Sequence, residues 1–258
     1  MQQPDTPTTS RILFGVAACF LLSGFAALLY QMAWMRQFST VFGTSETAVA
    51  TVLSAYMGGL ALGAAVAGRL VRLIRRPVLF YGFLEAAIAV SALLVPVLLS
   101  VAGFLYASLL GNQADIPDAA GLGQPLFYFL VAFAVLVVPT ACMGATLPVL
   151  TRYVVTRDDQ IGRRVGGLYA INTLGAVGGA VVAGFVLLPQ LGLRGTVWCG
   201  VFVNLLVFVI AVLVARASPE TLADDDQATE TESVQKDFSL AWLILPIMTL
   251  SGVCTFVY

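Results

Sequence analysis

Leu22-Ser23-Gly24-Phe25-Ala26-Ala27-Leu28-Leu29-Tyr30 returns at the far end of the chain as Leu250-Ser251-Gly252-Val253-Cys254-Thr255-Phe256-Val257-Tyr258. Leucine, serine, glycine and tyrosine coincide, and the other five positions exchange one apolar or small residue for another. Both copies sit in long apolar runs, and self-similarity of this kind is the mark of an internal repeat. The chain then opens one unit, completes it and begins a second. Residues between the copies form one half of a larger membrane protein.

Composition supports that reading. The 258 residues are 59% hydrophobic and 10% charged, with a mean hydropathy of +0.94, whereas a soluble domain is about 45–50% apolar and about 25% charged. One aqueous core cannot hide so much apolar surface, so lipid is the solvent. There is no histidine, which removes His-based metal sites and the Ser-His and Cys-His dyads. Cys19, Cys142, Cys199 and Cys254 stand singly in apolar runs, without paired ligand spacing, and read as packing residues. No metal, no cofactor and no catalytic residue are expected, and nucleic acid is not an expected partner. Val16-Ala17-Ala18-Cys19 after Arg11 has the look of a lipoprotein cleavage site, but the apolar run continues through Leu29. That continuation makes it a first membrane helix.

A spanning helix needs about 20 mostly apolar residues. Residues 1–10 are polar and read as a disordered N-terminus. A six-helix transmembrane unit follows over residues 11–215. Its helices are expected from Ile12 to Trp34, Ala48 to Gly68, Pro77 past Pro96 toward Leu110, Leu126 to Leu150, Val165 to Leu188 and Thr196 to Ala215. The third is too long to stand straight, and Pro96 predicts a kink or a break. Residues 111–124 read as a loop. Residues 216–237 are acidic and rich in Thr, Ser and Asp, which reads as a flexible linker. Residues 238–258 are the first helix of a second repeat, truncated at Tyr258, and the chain is expected to be part of a longer product.

Arginine placement gives the orientation. With the N-terminus inside, eleven of the thirteen Lys and Arg residues fall on inner segments, and only Arg36 and Arg194 fall outside. This is the positive-inside pattern of a multi-pass protein of the cell membrane, inner or plasma, with a cytoplasmic N-terminus. Six helices, a cytoplasmic linker and a restart make the plan of a transporter built from two parallel six-helix halves.

Four stretches carry a family resemblance. They are Ser23–Arg36 (SGFAALLYQMAWMR), Tyr56–Gly63 (YMGGLALG), Pro139–Leu150 (PTACMGATLPVL) and Gly162–Thr196 (GRRVGGLYAINTLGAVGGAVVAGFVLLPQLGLRGT). They resemble the membrane part of the fused transporter/spermidine-synthase-like membrane proteins. The resemblance implies an all-α, polytopic, major-facilitator-like helix bundle, here the six-helix half plus the start of a seventh helix. It also implies a cytoplasmic domain similar to spermidine synthase as a partner, beside the lipid bilayer and a second membrane half. No Gly-rich strand-to-helix turn with a following acidic residue occurs among the 258 residues, so no catalytic residue is carried over. Many major facilitators carry Gly-x-x-x-Asp-Arg/Lys-x-Gly-Arg-Arg/Lys between helices 2 and 3. Gly68 and Arg76 fit, but Arg72 stands in place of the Asp and Arg75 in place of the second Gly.

Glu85 is the one carboxylate well inside an expected span, and an ionisable group at membrane depth is a functional candidate. The other reading is a structural pair with an inner-rim arginine or a hydroxyl. At about 1.5 Å per residue Glu85 lies about 12 Å above the inner rim, Asn172 at a similar depth, and Thr146 about 9 Å deep. With Tyr169 and Thr173 beside Asn172, these five are the substrate- or proton-path candidates, forming either a polar layer lining a cavity or helix-to-helix hydrogen bonds of about 0.6 kcal/mol each. Gly59 with Gly63, and Gly175 with Gly179, make small-residue pairs suited to close helix packing. Pro139 and Pro148 either kink or break helix 4. Tyr30, Trp34 and Trp198 are expected in an outer aromatic belt. Two functions follow. One is transport of a polyamine or related small cation. The other is a membrane anchor for an aminopropyltransferase-like enzyme domain, without transport.

Overall fold

A computed structural model describes residues 7–110, 123–155 and 161–217. The linker and the second copy of the repeat lie outside the described residues, as do Asn112, Arg157 and Cys254. Every regular element described is helical: α1 Pro7–Phe42, α2 Glu46–Leu70, α3 Pro77–Leu110, α4 Gly123–Val154, α5 Ile161–Val182 and α6 Leu188–Ala217. A single 3-10 turn, Val71–Leu73, follows α2, and a five-residue π turn, Ala183–Leu187, joins α5 to α6.

The connections follow from local chemistry. α1 stops where Gly43 takes a positive φ of 82°. Two residues on, the Ser45 hydroxyl accepts from the Ala48 N–H at 3.2 Å and opens α2, with Glu46 in its first turn. Both features satisfy or complement the positive end of the new helix. α3 runs through Pro96 and α4 through Pro139 and Pro148 without interruption, so the expected breaks do not occur. At the far end of α4, the Arg152 guanidinium donates to the Val71 carbonyl and Arg164 to the Val154 carbonyl, each at 2.5 Å. The Val71 carbonyl also accepts from the Ile74 N–H at 3.1 Å, so Arg152 adds to a local bond there, while Arg164 caps a carbonyl of the last turn of α4.

Gly162–Ala217 is a 56-residue run of helix apolar enough to cross a membrane. At about 1.5 Å per residue it would span about 84 Å, far beyond a hydrocarbon core of about 30 Å. It folds back at Gly192, whose φ of 66° and ψ of −171° are non-helical. Only glycine adopts that region without strain. Gly192→Ala is therefore expected to cost about 1–3 kcal/mol, read as a lower melting temperature in detergent. The space beside Gly192 is open, so an unchanged melting point would mean the turn does not depend on glycine.

Contacts fix the direction of each pass. Along α1, Leu21 and Phe25 meet Gly175 and Gly179 of α5, so these two run parallel. Gly15, Cys19 and Tyr30 meet Val214, Val207 and Gly200 of α6, which runs the other way. Cys19 and Val41 meet Tyr81 and Gly103 of α3, parallel again. α2 and α4 run together, Gly58 against Phe133 and Val71 against Arg152. The six passes alternate. Arg69, Arg72, Arg75, Arg76, Arg152, Arg163, Arg164 and Arg216 gather at one end, with Arg36 and Arg194 at the other. Large apolar side chains cover the outside, among them Phe104, Phe185 and Phe202 at 69–80% exposure. That surface suits contact with lipid rather than water.

Candidate functional site: buried polar groups at the centre of the bundle

Glu85 projects from α3 into the middle of the unit and is fully buried. Asn204, on the facing turn of α6, is buried beside it, and its Nδ2 donates to Glu85 Oε2. Ser23 of α1 and Tyr81, one turn earlier on α3, flank the carboxyl. The Tyr81 hydroxyl donates to the Cys19 carbonyl at 3.2 Å and stays within hydrogen-bonding reach of the carboxyl. Glu85 Oε1 and Asn204 Oδ1 have no hydrogen-bond partner. No cation among the described residues pairs with the carboxyl, which removes the inner-rim arginine pairing that the sequence left open. The centre thus holds one carboxyl, one amide and two hydroxyls from three helices. Its free oxygens can accept, and its carboxyl can take up or release a proton.

α1 carries more of the same. Tyr30 and Trp34 do not sit in an outer belt facing lipid. They are 0% and 1% exposed and stack at 5.1 Å between ring centres. Neither the Tyr30 hydroxyl nor the Trp34 indole N–H has a partner, and Gln37 Oε1 is also buried and unpaired. Trp198 does face outward, at 60% exposure.

The other candidates separate from Glu85. Thr146 is buried, but its hydroxyl donates to the Met143 carbonyl of its own helix at 2.7 Å. Thr173 does the same to Tyr169 at 2.8 Å and is exposed, as is Tyr169. A hydroxyl bonded back to its own turn has committed its proton there and is left only as an acceptor. Asn172 is half-buried and lies against Gly24 of α1. Gly24, Leu21 and Phe25 form the α5-facing side of α1, while Cys19 and Ser23 face Glu85. At about 100° per residue these sides are roughly opposite, so Asn172, Tyr169 and Thr173 stand across α1 from the carboxyl. The small-residue pairs sit at close approaches. A Cβ on Gly59 or Gly63 would overlap Thr140 or the Ala141 backbone, and one on Gly175 or Gly179 the backbone of Leu21 or Phe25.

An apolar cavity of about 430 Å³ opens between α1, α6 and the π turn, lined by residues such as Phe25, Leu29, Trp198 and Phe202. It offers no polar group for a charged ligand. Between α2 and α3, Arg72 and Arg75 are exposed.

Asn204, Ser23 and Tyr81 were not among the residues singled out from sequence. Asn204 did leave a signal, as a lone amide in the apolar run Val201–Ala215.

Alternating apolar helices around sealed polar groups make a multi-pass membrane protein of transporter type. The sequence model of the Major Facilitator Superfamily matches residues 12–258, and the chain belongs to that superfamily. No curated protein and no solved structure matches it.

Proposed function

We propose that the chain is a proton-coupled transport module of the cell membrane, in which Glu85 loads and releases the coupling proton. The observation that carries this is a fully buried carboxyl held by an amide, without a cation partner among the described residues. A polyamine or related small cation is the proposed cargo, on the resemblance to the spermidine-synthase-like fusion proteins. Glu85 is fully buried among α1, α3 and α6, which favours a proton over the cargo as its ligand. The cargo then binds elsewhere, and Asn172, Tyr169 and Thr173, on the side of α1 away from Glu85, are the candidates to hold it. The test is the natural full-length protein in proteoliposomes carrying an internal pH dye. An imposed spermidine or putrescine gradient is expected to drive proton movement, and no proton movement with either would overturn the reading.

A second reading is an anchor for an aminopropyltransferase-like domain. It is favoured by the scarcity of free ligands, since Thr51, Ser91, Thr140 and Thr151 also bond back to their own helices. In that case neither amine moves protons.

The proposed orientation puts the N-terminus, the arginine-rich end and the linker in the cytoplasm. Single cysteines at residues 72, 157 and 225, in a cysteine-free background, are expected to resist an impermeant reagent added outside whole cells. One at residue 112 is expected to react. Strong outside labelling at 225 would break the six-pass count.

A further inference from the structure

Among the described residues five buried side-chain atoms lack a hydrogen-bond partner: Tyr30 Oη, Trp34 Nε1, Gln37 Oε1, Glu85 Oε1 and Asn204 Oδ1. They are not scattered. At about 100° per residue, Ser23, Tyr30, Trp34 and Gln37 fall within roughly 60° of one another on α1. At about 1.5 Å per residue that stripe is about 21 Å long, most of a hydrocarbon core of about 30 Å. Its inner end is the carboxyl, flanked by Ser23. Next along, the Tyr30 ring lies against Gly200, one turn from Asn204 on α6. Trp34 stacks on Tyr30. Gln37 closes the stripe at the end of the bundle that carries the exposed Arg36.

Each unpaired polar atom in a low-dielectric interior costs about 1–3 kcal/mol, and roughly 90% or more of buried polar groups in native proteins are paired. Five unpaired atoms in one seam call for a common cause. Water entering the seam answers all five, since both acceptors and donors are on offer. We propose that this seam is the proton-access route of Glu85, a file of water along α1 reaching the carboxyl from the Gln37 end. The proposal rests on the reading of Glu85 as the proton-loading group. On release, the Glu85 O–H bond breaks, its proton passes to the adjacent water, each water hands one proton on, and one proton leaves at Gln37. Loading is the reverse. Tyr30 both donates and accepts and so joins the relay. Trp34 only donates and so orients water without carrying protons. Ser23 from α1, Tyr81 from α3 and Asn204 from α6 are the carboxyl's neighbours, and Cys19 and Tyr30 from α1 and Cys142 from α4 are close enough to feel its charge. None of them is a cation that would compete for the charge.

The test is hydrogen–deuterium exchange of the Glu85 carboxyl, followed by infrared spectroscopy on the natural full-length protein in lipid nanodiscs. The band is assigned by its loss in Glu85→Gln. Tyr30→Phe and Gln37→Leu are expected to slow exchange by about tenfold. Exchange unchanged in both variants, with a raised melting temperature, would mean a dry seam. It would overturn the route while leaving Glu85 as a proton site. Absence of any exchangeable carboxyl band in the unmodified protein would overturn both. A check needing no variant is the Trp34 indole N–H, expected to exchange far faster than the protected core amides. Exchange as slow as theirs would also overturn the route.

Discussion

Gly63→Val is expected to disable assembly of the α2–α4 pair, and Gly63→Val combined with Gly144→Val to abolish the folded unit. The two glycines interlock. A Cβ on Gly63 would overlap the Ala141 backbone, and a Cβ on Gly144 would overlap the Leu60 backbone. A side-chain obstacle can rotate away, but a backbone obstacle cannot, so the helices must part along their whole contact. Thr140 gives little relief at neighbouring Gly59, because its hydroxyl is tied to the Leu136 carbonyl at 2.7 Å. Overpacking in a close-packed interior costs about 1–3 kcal/mol, and a backbone obstacle lies at or above the top of that range. Two of them bring the loss to about 6 kcal/mol or more, enough to offset a native stability at the lower end of its range of about 5–15 kcal/mol. Size-exclusion chromatography in detergent is expected to show aggregation of the double variant. Gly68→Ala, at a position with open space beside it, is the control and is expected to melt like the parent. A normally eluting double variant would mean that α2 and α4 tolerate separation.

Most of the helices were legible because a membrane span has to read as a run of apolar residues. The GxxxG spacings of α2 and α5 were legible for a related reason, since close approach requires a missing side chain. The bend at Gly192 was legible as a gap between two runs, though not as the positive-φ turn it is. Of the kink or break expected at the prolines of α3 and α4, the break does not occur, because neighbouring helices tolerate proline inside a span. The site was half legible. Glu85 announced itself by charge. Asn204 and Ser23 did not, because counting depth along each helix sorted residues by height and not by facing direction. Thr146 and Asn172 matched Glu85 in height, yet one is bonded to its own turn and the other lies across α1. Tyr30 and Trp34 had the composition of an interfacial belt, and only the packing of α6 against α1 shows them buried. Serine, glycine and tyrosine of the Leu22–Tyr30 repeat bear on this same region: Ser23 beside the carboxyl, Gly24 against Asn172, Tyr30 over Gly200.

Glu85→Gln is expected to leave the protein folded and abolish coupled transport. Glutamine keeps the size of the side chain and an oxygen that accepts from Asn204 Nδ2, but it cannot give up a proton. A buried ion pair loses about 3–5 kcal/mol when one partner is removed, because the other charge is stranded. No described cation pairs with Glu85, so nothing is stranded, and the detergent melting temperature is expected to hold close to that of the parent. Asn204→Leu has the opposite profile. It removes the amide that donates to the carboxyl, and an unsatisfied buried group costs about 1–3 kcal/mol, more when it is charged. The melting temperature is therefore expected to fall, while some proton coupling persists because the carboxyl remains. Amine-driven proton flux and melting temperature, measured on both variants, separate the roles. If Glu85 only braced the bundle, Glu85→Gln would melt low and any flux would survive in proportion to the folded fraction. If it carries the coupling proton, flux disappears at full stability, and Asn204→Leu loses stability before it loses flux. A Glu85→Gln protein with parental melting and parental flux would remove the carboxyl from both roles.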